Sequence, residues 1–138
     1  MRDPRSETPP PLVLVVDDNG DLRDLYATYF LTAGFRVDTA SDGISGLALA
    51  RLDAPDVIVA DLSMPHLDGW EMTRRLKNDP RTSRIPIVAV TGRTFGGSAE
   101  RALDAGCDAY VLKPCLPDAL LREARRLLGG GVQRRRSA

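Results

Sequence analysis

The segment Leu12-Val-Leu-Val-Val-Asp-Asp18 joins an unbroken run of five apolar residues to two acids. Four further short apolar runs occur along the chain, and two of them are also unbroken and rich in valine and isoleucine. Such runs are typical of strands buried on both faces of a parallel sheet. The second run alternates more, which places it nearer an edge. The five predicted strands are Leu12–Val16, Phe35–Thr39, Val57–Ala60, Ile85–Val90 and Ala109–Leu112.

Helical patterns separate the five runs. The predicted helices cover about residues 22–33, 44–52, 69–77, 98–105 and 116–128. Apolar stripes are expected to face the sheet. The stripe of the first helix consists of Leu22, Leu25, Tyr26, Tyr29, Phe30 and Ala33, and that of the second consists of Ile44, Leu47, Ala48 and Leu52. Strand and helix alternate five times, and this pattern predicts a doubly wound α/β fold with a five-stranded parallel sheet and five flanking helices.

The length and the charge distribution indicate one domain with polar ends. A chain of 138 residues suits a single domain. We assign residues 1–11 to a flexible proline-rich leader, 12–128 to the folded domain and 129–138 to a flexible tail, because Gly129–Gly131 should end the last helix. The net charge of +0 combines +5 from Ala119 onward with −5 in the remainder.

The sequence lacks the features of a membrane or secreted protein. No apolar run approaches the roughly 20 residues that a transmembrane helix needs. The amino-terminal segment is polar and has no signal-peptide core, so we expect a cytoplasmic protein without membrane contact. The arginines at 134–136 are expected to form a solvated tail rather than a nucleic-acid or membrane contact.

Several classes of function lack the residues that they require. Cys107 and Cys115 are too few for a disulfide framework, lack CxxC spacing and are expected to be buried or half-buried thiols. The single histidine, His66, provides neither a metal cluster nor a Ser-His-Asp triad. No dinucleotide or P-loop motif is present. A haloacid-dehalogenase-type phosphohydrolase would have Asp-x-Asp after the first strand, whereas Asn19 stands there.

Polar side chains follow four of the predicted strands. Asp17 and Asp18 follow the first strand, Asp61 the third, Thr91 the fourth and Lys113 the fifth. Taken singly, the aspartates or the threonine could cap helices, and the lysine could be a solvated surface residue. The carboxyl ends of parallel strands meet at one edge, however, and ligands bind there. Clustered carboxylates favour a bound cation, and carboxylates with a phosphate are the usual Mg²⁺ environment.

Together, these features resemble the receiver domain of two-component response regulators, the CheY-like family. The matching segments are Val15-Val-Asp-Asp18, Asp61-Leu-Ser-Met-Pro65, Asp68-Gly69, Thr91-Gly92 and Tyr110-Val-Leu-Lys-Pro114. They occur in the family's order and spacing across residues 12–128. The resemblance implies a flavodoxin-like sheet with the strand order 2-1-3-4-5.

The resemblance also implies a phosphoryl acceptor and a metal site. Asp61 would attack the phosphorus of a phosphohistidine on a sensor histidine kinase or a histidine phosphotransfer protein and would form an aspartyl phosphate. Mg²⁺ would be held by Asp18, by Asp61 and by the backbone carbonyl of Ser63, with Asp17 helping through water.

Three further roles follow from the same resemblance. Lys113 and Thr91 would bind the phosphoryl group, and the peptide bond between Lys113 and Pro114 is expected to be cis. Thr91 and Tyr110 would form a switch pair that changes the surface of the fourth helix, fifth strand and fifth helix.

We therefore expect a single-domain response regulator that is not an enzyme and that switches in a Mg²⁺-dependent manner. Its partners would be the phosphoryl donor and a downstream protein that the sequence does not identify. No DNA-binding domain is expected, and the chain would be a monomer or a weak homodimer. The alternatives are a receiver-like adaptor that is not phosphorylated and a small Mg²⁺-dependent phosphatase with Asp61 as nucleophile.

Overall fold

A single parallel sheet organises the chain in the computed structural model, which describes residues 9–62, 68–92, 103, 105–113 and 115–137. The strands are β1 (Leu12–Val16), β2 (Arg36–Ala40), β3 (Val57–Asp61), β4 (Ile87–Thr91) and β5 (Ala109–Leu112). Their order in the sheet is β2-β1-β3-β4-β5, and every neighbouring pair is parallel. The predicted fold class and strand order are confirmed, and the alternating second run is an edge strand.

The helices begin where short polar side chains can accept a backbone hydrogen bond. They are α1 (Gly20–Thr32), α2 (Gly43–Asp53), α3 (Gly69–Asn78) and a C-terminal helix (Pro117–Ser137). The N-cap side chains of Asn19, Asp42 and Asp68 precede α1, α2 and α3. Of the helix predicted over 98–105, only Leu103 and Ala105 are described and both are helical; the rest of that prediction lies outside the described residues.

Two apolar layers cover the sheet because alternate strand residues point to opposite faces. Val13, Val15 and Val59 pack on one face with α1 and the C-terminal helix. Leu14 and Ile58 pack on the other face with α2 and α3. These side chains are at most 1% exposed, and burial of each contributes roughly 1.5–3 kcal/mol. The strand ends are thereby fixed relative to one another.

Two helices bury only part of the predicted apolar stripes. In α1, Tyr26 and Phe30 of the stripe are buried as predicted, whereas Leu25 and Tyr29 are 49% and 37% exposed. In α2, Leu47 of the stripe is buried with Gly43, Gly46 and Ala50, whereas Ile44 and Leu52 are exposed. A Cβ at Gly46 would lie 2.9 Å from Met72 Sδ, so α2 packs closely at this glycine, which an apolar stripe does not reveal.

The last residues of the proline-rich segment contact β2. Arg36 donates from its backbone N to Pro11 O and from Nε to Pro10 O, both at 2.9 Å, so the end of the proline-rich segment is attached to β2. Residues 1–8 lie outside the described residues.

The prediction that Gly129–Gly131 would end the C-terminal helix is wrong, because the helix continues to Ser137. A glycine ends a helix by adopting positive φ, as Gly34 and Gly106 do at 97° and 109°, and Gly129 has no such φ. Within the described part of the chain, no helix is long and apolar enough to cross a membrane.

Candidate functional site

Three carboxylates meet at the carboxyl edge of the sheet. Asp17 and Asp18 follow β1, Asp61 ends β3, and one carboxylate oxygen of each lies within 4.8 Å of the others. Asp17 and Asp61 are 1% and 4% exposed, whereas Asp18 is exposed. The structure therefore brings together the three acids expected from the sequence, with two of them withdrawn from bulk water.

Ladder hydrogen bonds hold the backbone around these residues. Asp17 N donates to Ala40 O at 3.1 Å, and Lys113 N donates to Thr91 O at 2.8 Å. Leu62 N, directly after Asp61, donates to Val90 O at 3.1 Å. The site thus rests on rigid strand ends rather than on free loops, as accurate positioning of reacting groups requires.

Asp17 is a buried carboxylate next to two other carboxylates. Its Oδ1 accepts a hydrogen bond from Asn19 N at 2.9 Å, while its buried Oδ2 has no hydrogen-bond partner among the described residues. Burial raises the pKa of Asp17, and the charges of Asp61 and Asp18 add to this effect, whereas the Asn19 bond and Lys113 oppose it. A hard cation would bind this oxygen and offset the repulsion, so the carboxylate oxygens of the site fit Mg²⁺ as ligands.

Lys113 provides the positive charge next to Asp61. Its Nζ lies 3.2 Å from Asp61 Oδ2, and its side chain remains 34% exposed, so the ammonium stands at the mouth of the site. The chain's other lysine, Lys77, has a structural role, since its Nζ donates to Ile85 O at 2.9 Å and to Asp108 Oδ2 at 3.0 Å. Lys113 is therefore the lysine available to an incoming anion.

Thr91 and Tyr110 lie on the same face of the sheet. Ala89 pairs with Tyr110 and Thr91 pairs with Leu112, so the two side chains share the face that α2 and α3 cover. Thr91 is 3% exposed beside the acids, and Tyr110 is 39% exposed on the edge strand. Their roles as a switch pair remain a prediction. The predicted carbonyl ligand at Ser63 and the cis bond to Pro114 fall outside the described residues, as does His66.

A close backbone approach beneath Asp61 was not predicted. A Cβ at Gly69 would lie 2.5 Å from both Asp61 O and Leu62 Cα. Gly69 N donates to Leu62 O at 3.2 Å, and Asp68 Oδ1 accepts from Glu71 N at 2.9 Å. Only a glycine lets α3 begin this near the end of β3. The pair Asp68-Gly69 matches the family in the sequence, but the steric reason for the glycine is visible only in the folded structure.

Both cysteines are free thiols, as expected from the sequence. Cys107 is buried, which raises its pKa to about 11 and makes the thiol unreactive. Cys115 is half-buried, and its Sγ lies 3.8 Å from the hydroxyl of Tyr26 in α1. Burial raises the pKa of this phenol, so it stays neutral beneath the acids. The contact links α1 to the segment after Lys113.

Asp17→Asn is expected to raise the free energy of unfolding of the cation-free chain by about 1–2 kcal/mol at neutral pH, because it removes a buried, incompletely bonded charge. Since burial raises the pKa of Asp17, the folded chain binds the proton more readily than the unfolded chain. The charged carboxylate of Asp17 destabilises the fold in full at pH values above the pKa of Asp17 in the folded chain. This destabilisation disappears as the pH falls toward 3.8, the ordinary pKa of an aspartate. The gain from Asp17→Asn should shrink in parallel.

Urea unfolding in EDTA, followed by circular dichroism from neutral pH to about pH 4, measures this gain. Asp24→Asn, on the exposed side of α1, is the control and should change stability by less than about 0.5 kcal/mol. A wild type that is more stable than Asp17→Asn at neutral pH would contradict the prediction.

Residues 13–125 match the family model of the response regulator receiver domain, and the chain belongs to this family. It is 32% identical over 120 residues to the polar-differentiation response regulator DivK of Brucella anthropi, covering 87% of this chain and 98% of DivK. It is also 36% identical over 118 residues to RpaA of Synechocystis, a DNA-binding dual master transcriptional regulator. That match covers 86% of this chain but 49% of RpaA, so the chain spans about half of that regulator's length.

Solved structures agree with this assignment. The chemotaxis response regulator CheY4 of Vibrio cholerae is 30% identical with a TM-score of 0.79, and the match covers 86% of this chain and 98% of CheY4. The receiver domain of the sensor histidine kinase PA1611 of Pseudomonas aeruginosa is 31% identical with a TM-score of 0.80. This match covers 87% of the present chain and 98% of that domain, whose active-site cleft holds a magnesium ion. The chain is thus a receiver domain of the two-component signalling type.

Proposed function

We propose that Asp61 accepts a phosphoryl group from a sensor histidine kinase or a histidine phosphotransfer protein in a Mg²⁺-dependent reaction. The observation that carries this proposal is the surroundings of Asp61: Lys113 Nζ lies 3.2 Å from its Oδ2, and two further carboxylates lie within 4.8 Å. The carboxyl edge of the sheet therefore holds a nucleophile, a positive charge for the phosphoryl oxygens and ligands for a metal. The cytoplasm is the proposed location.

The chemistry needs positioning and charge neutralisation more than acid–base catalysis. A bond forms between an Asp61 carboxylate oxygen and phosphorus, while the bond between phosphorus and the donor histidine nitrogen breaks and its electron pair returns to the imidazole. An ionised carboxylate needs no general base. Mg²⁺, held by Asp17, Asp18 and Asp61, would neutralise phosphoryl charge. Lys113 binds a phosphoryl oxygen as a point charge, and the Thr91 hydroxyl donates to another.

The output of the reaction is proposed to be a change at the edge of the sheet. Thr91 moves toward the phosphoryl group, and the Tyr110 ring fills the space that it leaves. Tyr110, Leu112 and Leu116 are 39%, 36% and 71% exposed, so a downstream protein could bind apolar side chains here. The phosphoryl group needs to shift a two-state equilibrium by only a few kcal/mol to change that surface.

Mass spectrometry of the wild-type chain with Mg²⁺ and acetyl phosphate tests the proposal. We expect one alkali-labile phosphate located on the peptide that contains Asp61, with none in EDTA and none in Asp61→Asn. If the wild type gains no phosphate from acetyl phosphate or from a histidine kinase, the chain is an adaptor instead. If it hydrolyses a phosphomonoester continuously, the phosphatase alternative is correct.

A further inference from the structure

Arg23 folds back from the first turn of α1 over the loop that carries the acids. Its Nη1 donates to the backbone carbonyl of Asp17 at 2.9 Å. Its Nη2 lies 3.6 Å from the position that a Cβ would occupy at Gly20, so the side chain passes across the start of the helix. Arg23 is half-buried, and nothing in the reaction proposed above uses it.

The bond from Arg23 completes the restraint of Asp17. The backbone N of Asp17 donates to Ala40 O, its backbone carbonyl accepts from Arg23, and its Oδ1 accepts from Asn19 N. Of the polar atoms of Asp17, only Oδ2 has no hydrogen-bond partner among the described residues. This oxygen belongs to the carboxylate that lies against Asp18 and Asp61. The direction of the carboxylate therefore depends on how firmly the loop backbone is held.

We propose that Arg23 is a positioning residue for the cation site and acts through the carbonyl of Asp17. It holds the loop in the shape that directs Oδ2 and the neighbouring Asp18 toward a bound Mg²⁺. The inference rests on the proposed function, since it assumes that the acids bind this cation. Groups that orient metal ligands in this way typically change metal affinity by about 10- to 100-fold when they are removed.

A purely electrostatic role for Arg23 predicts the opposite result. A guanidinium near a cation site repels the cation, so the loss of its charge should tighten Mg²⁺ binding. The loss of a positioning bond should weaken Mg²⁺ binding. The sign of the change therefore separates the two roles.

The test is a Mg²⁺ titration followed by the fluorescence of Trp70. It is the chain's single tryptophan and adjoins Gly69, which contacts the backbone of Asp61. For Arg23→Gln we expect a Kd about 10-fold above that of the wild type. Arg23→Lys keeps the charge but lacks the planar guanidinium, so its Kd should rise by about 3-fold. The control, Arg84→Gln, removes the same charge near the opposite end of β4 and should leave the Kd unchanged.

The outcomes distinguish this inference from the proposed function. A wild-type chain that does not respond to Mg²⁺ would contradict the proposed function itself. If the wild type binds Mg²⁺ and the Kd of Arg23→Gln is equal to or lower than that of the wild type, only the positioning role is overturned. Circular dichroism of each variant without Mg²⁺ establishes that it is folded. If Arg23→Gln does not fold, the Kd of Arg23→Lys is used instead. A Kd higher than that of the wild type supports the positioning role, and a Kd that is not higher overturns it.

Discussion

Lys113→Gln is expected to slow the proposed phosphorylation of Asp61 by about 10²- to 10³-fold, the usual cost of removing one preorganised group that stabilises developing charge. Lys113 Nζ lies 3.2 Å from Asp61 Oδ2 at the mouth of the site, where an incoming phosphoryl oxygen would meet it. Glutamine can still donate a hydrogen bond but carries no charge. The rate of phosphate incorporation from acetyl phosphate, measured by mass spectrometry at saturating Mg²⁺, gives the effect.

Mg²⁺ affinity provides a second measurement on the same variant. Removing a positive charge beside three carboxylates should leave the Kd for Mg²⁺ unchanged or lower, because less repulsion opposes the cation. The variant should therefore bind the metal and still react slowly. Arg84→Gln, with the same change in charge far from the site, should react like the wild type. Normal phosphorylation of Lys113→Gln would show that the ammonium does not act on the phosphoryl group.

Gly69→Ala is expected to lower the free energy of unfolding by about 3 kcal/mol, at the upper end of the cost of overpacking. The added Cβ would lie 2.5 Å from Asp61 O and from Leu62 Cα. Both are backbone atoms at the end of the central strand β3, one in its last residue and one in the residue that follows, so neither can rotate away. The start of α3 must move instead, and phosphorylation should fall as well because Asp61 loses its support. Urea unfolding and the acetyl phosphate assay measure the two effects.

Gly129→Ala is the matched control for this substitution. Gly129 also lies in a helix, but a Cβ there would meet nothing within 4 Å. Alanine has the higher helix propensity, so this variant should be unchanged or more stable by up to about 1 kcal/mol. If both variants unfold at the same urea concentration, the close approach between α3 and β3 does not constrain the chain.

The residues that could be predicted from the sequence are those whose positions follow from strand periodicity. The apolar runs fixed where each strand ends, and the ends of parallel strands must lie at one edge, so Asp17, Asp61 and Lys113 could be brought together without a structure. The helix faces were harder to predict. Ile44 and Leu52 look like core residues, but α2 packs closely at Gly46 and buries Leu47 of the same predicted stripe instead.

The contacts that support the site could not be predicted because they involve backbone atoms. The carbonyl of Asp17 that receives Arg23, and the carbonyl of Asp61 that excludes a side chain at Gly69, leave no pattern in the order of residues. Gly129 shows that a pattern in the sequence can also predict a feature that the structure lacks. A glycine in sequence suggests a helix end, but the backbone angle that ends a helix is a property of the fold.

The oxygen of Asp17 that has no hydrogen-bond partner in the described part of the chain has a thermodynamic consequence for the whole protein. Folding brings Asp61, which is distant in the sequence, next to the adjacent carboxylates of Asp17 and Asp18, so a cation that neutralises all three binds the folded form preferentially. A ligand with this preference stabilises the fold by about 2.7 kcal/mol when its concentration is 100 times its Kd. The magnesium concentration would then set the lifetime of the protein as well as its readiness to accept phosphate, and a chain deprived of the ion would unfold more often.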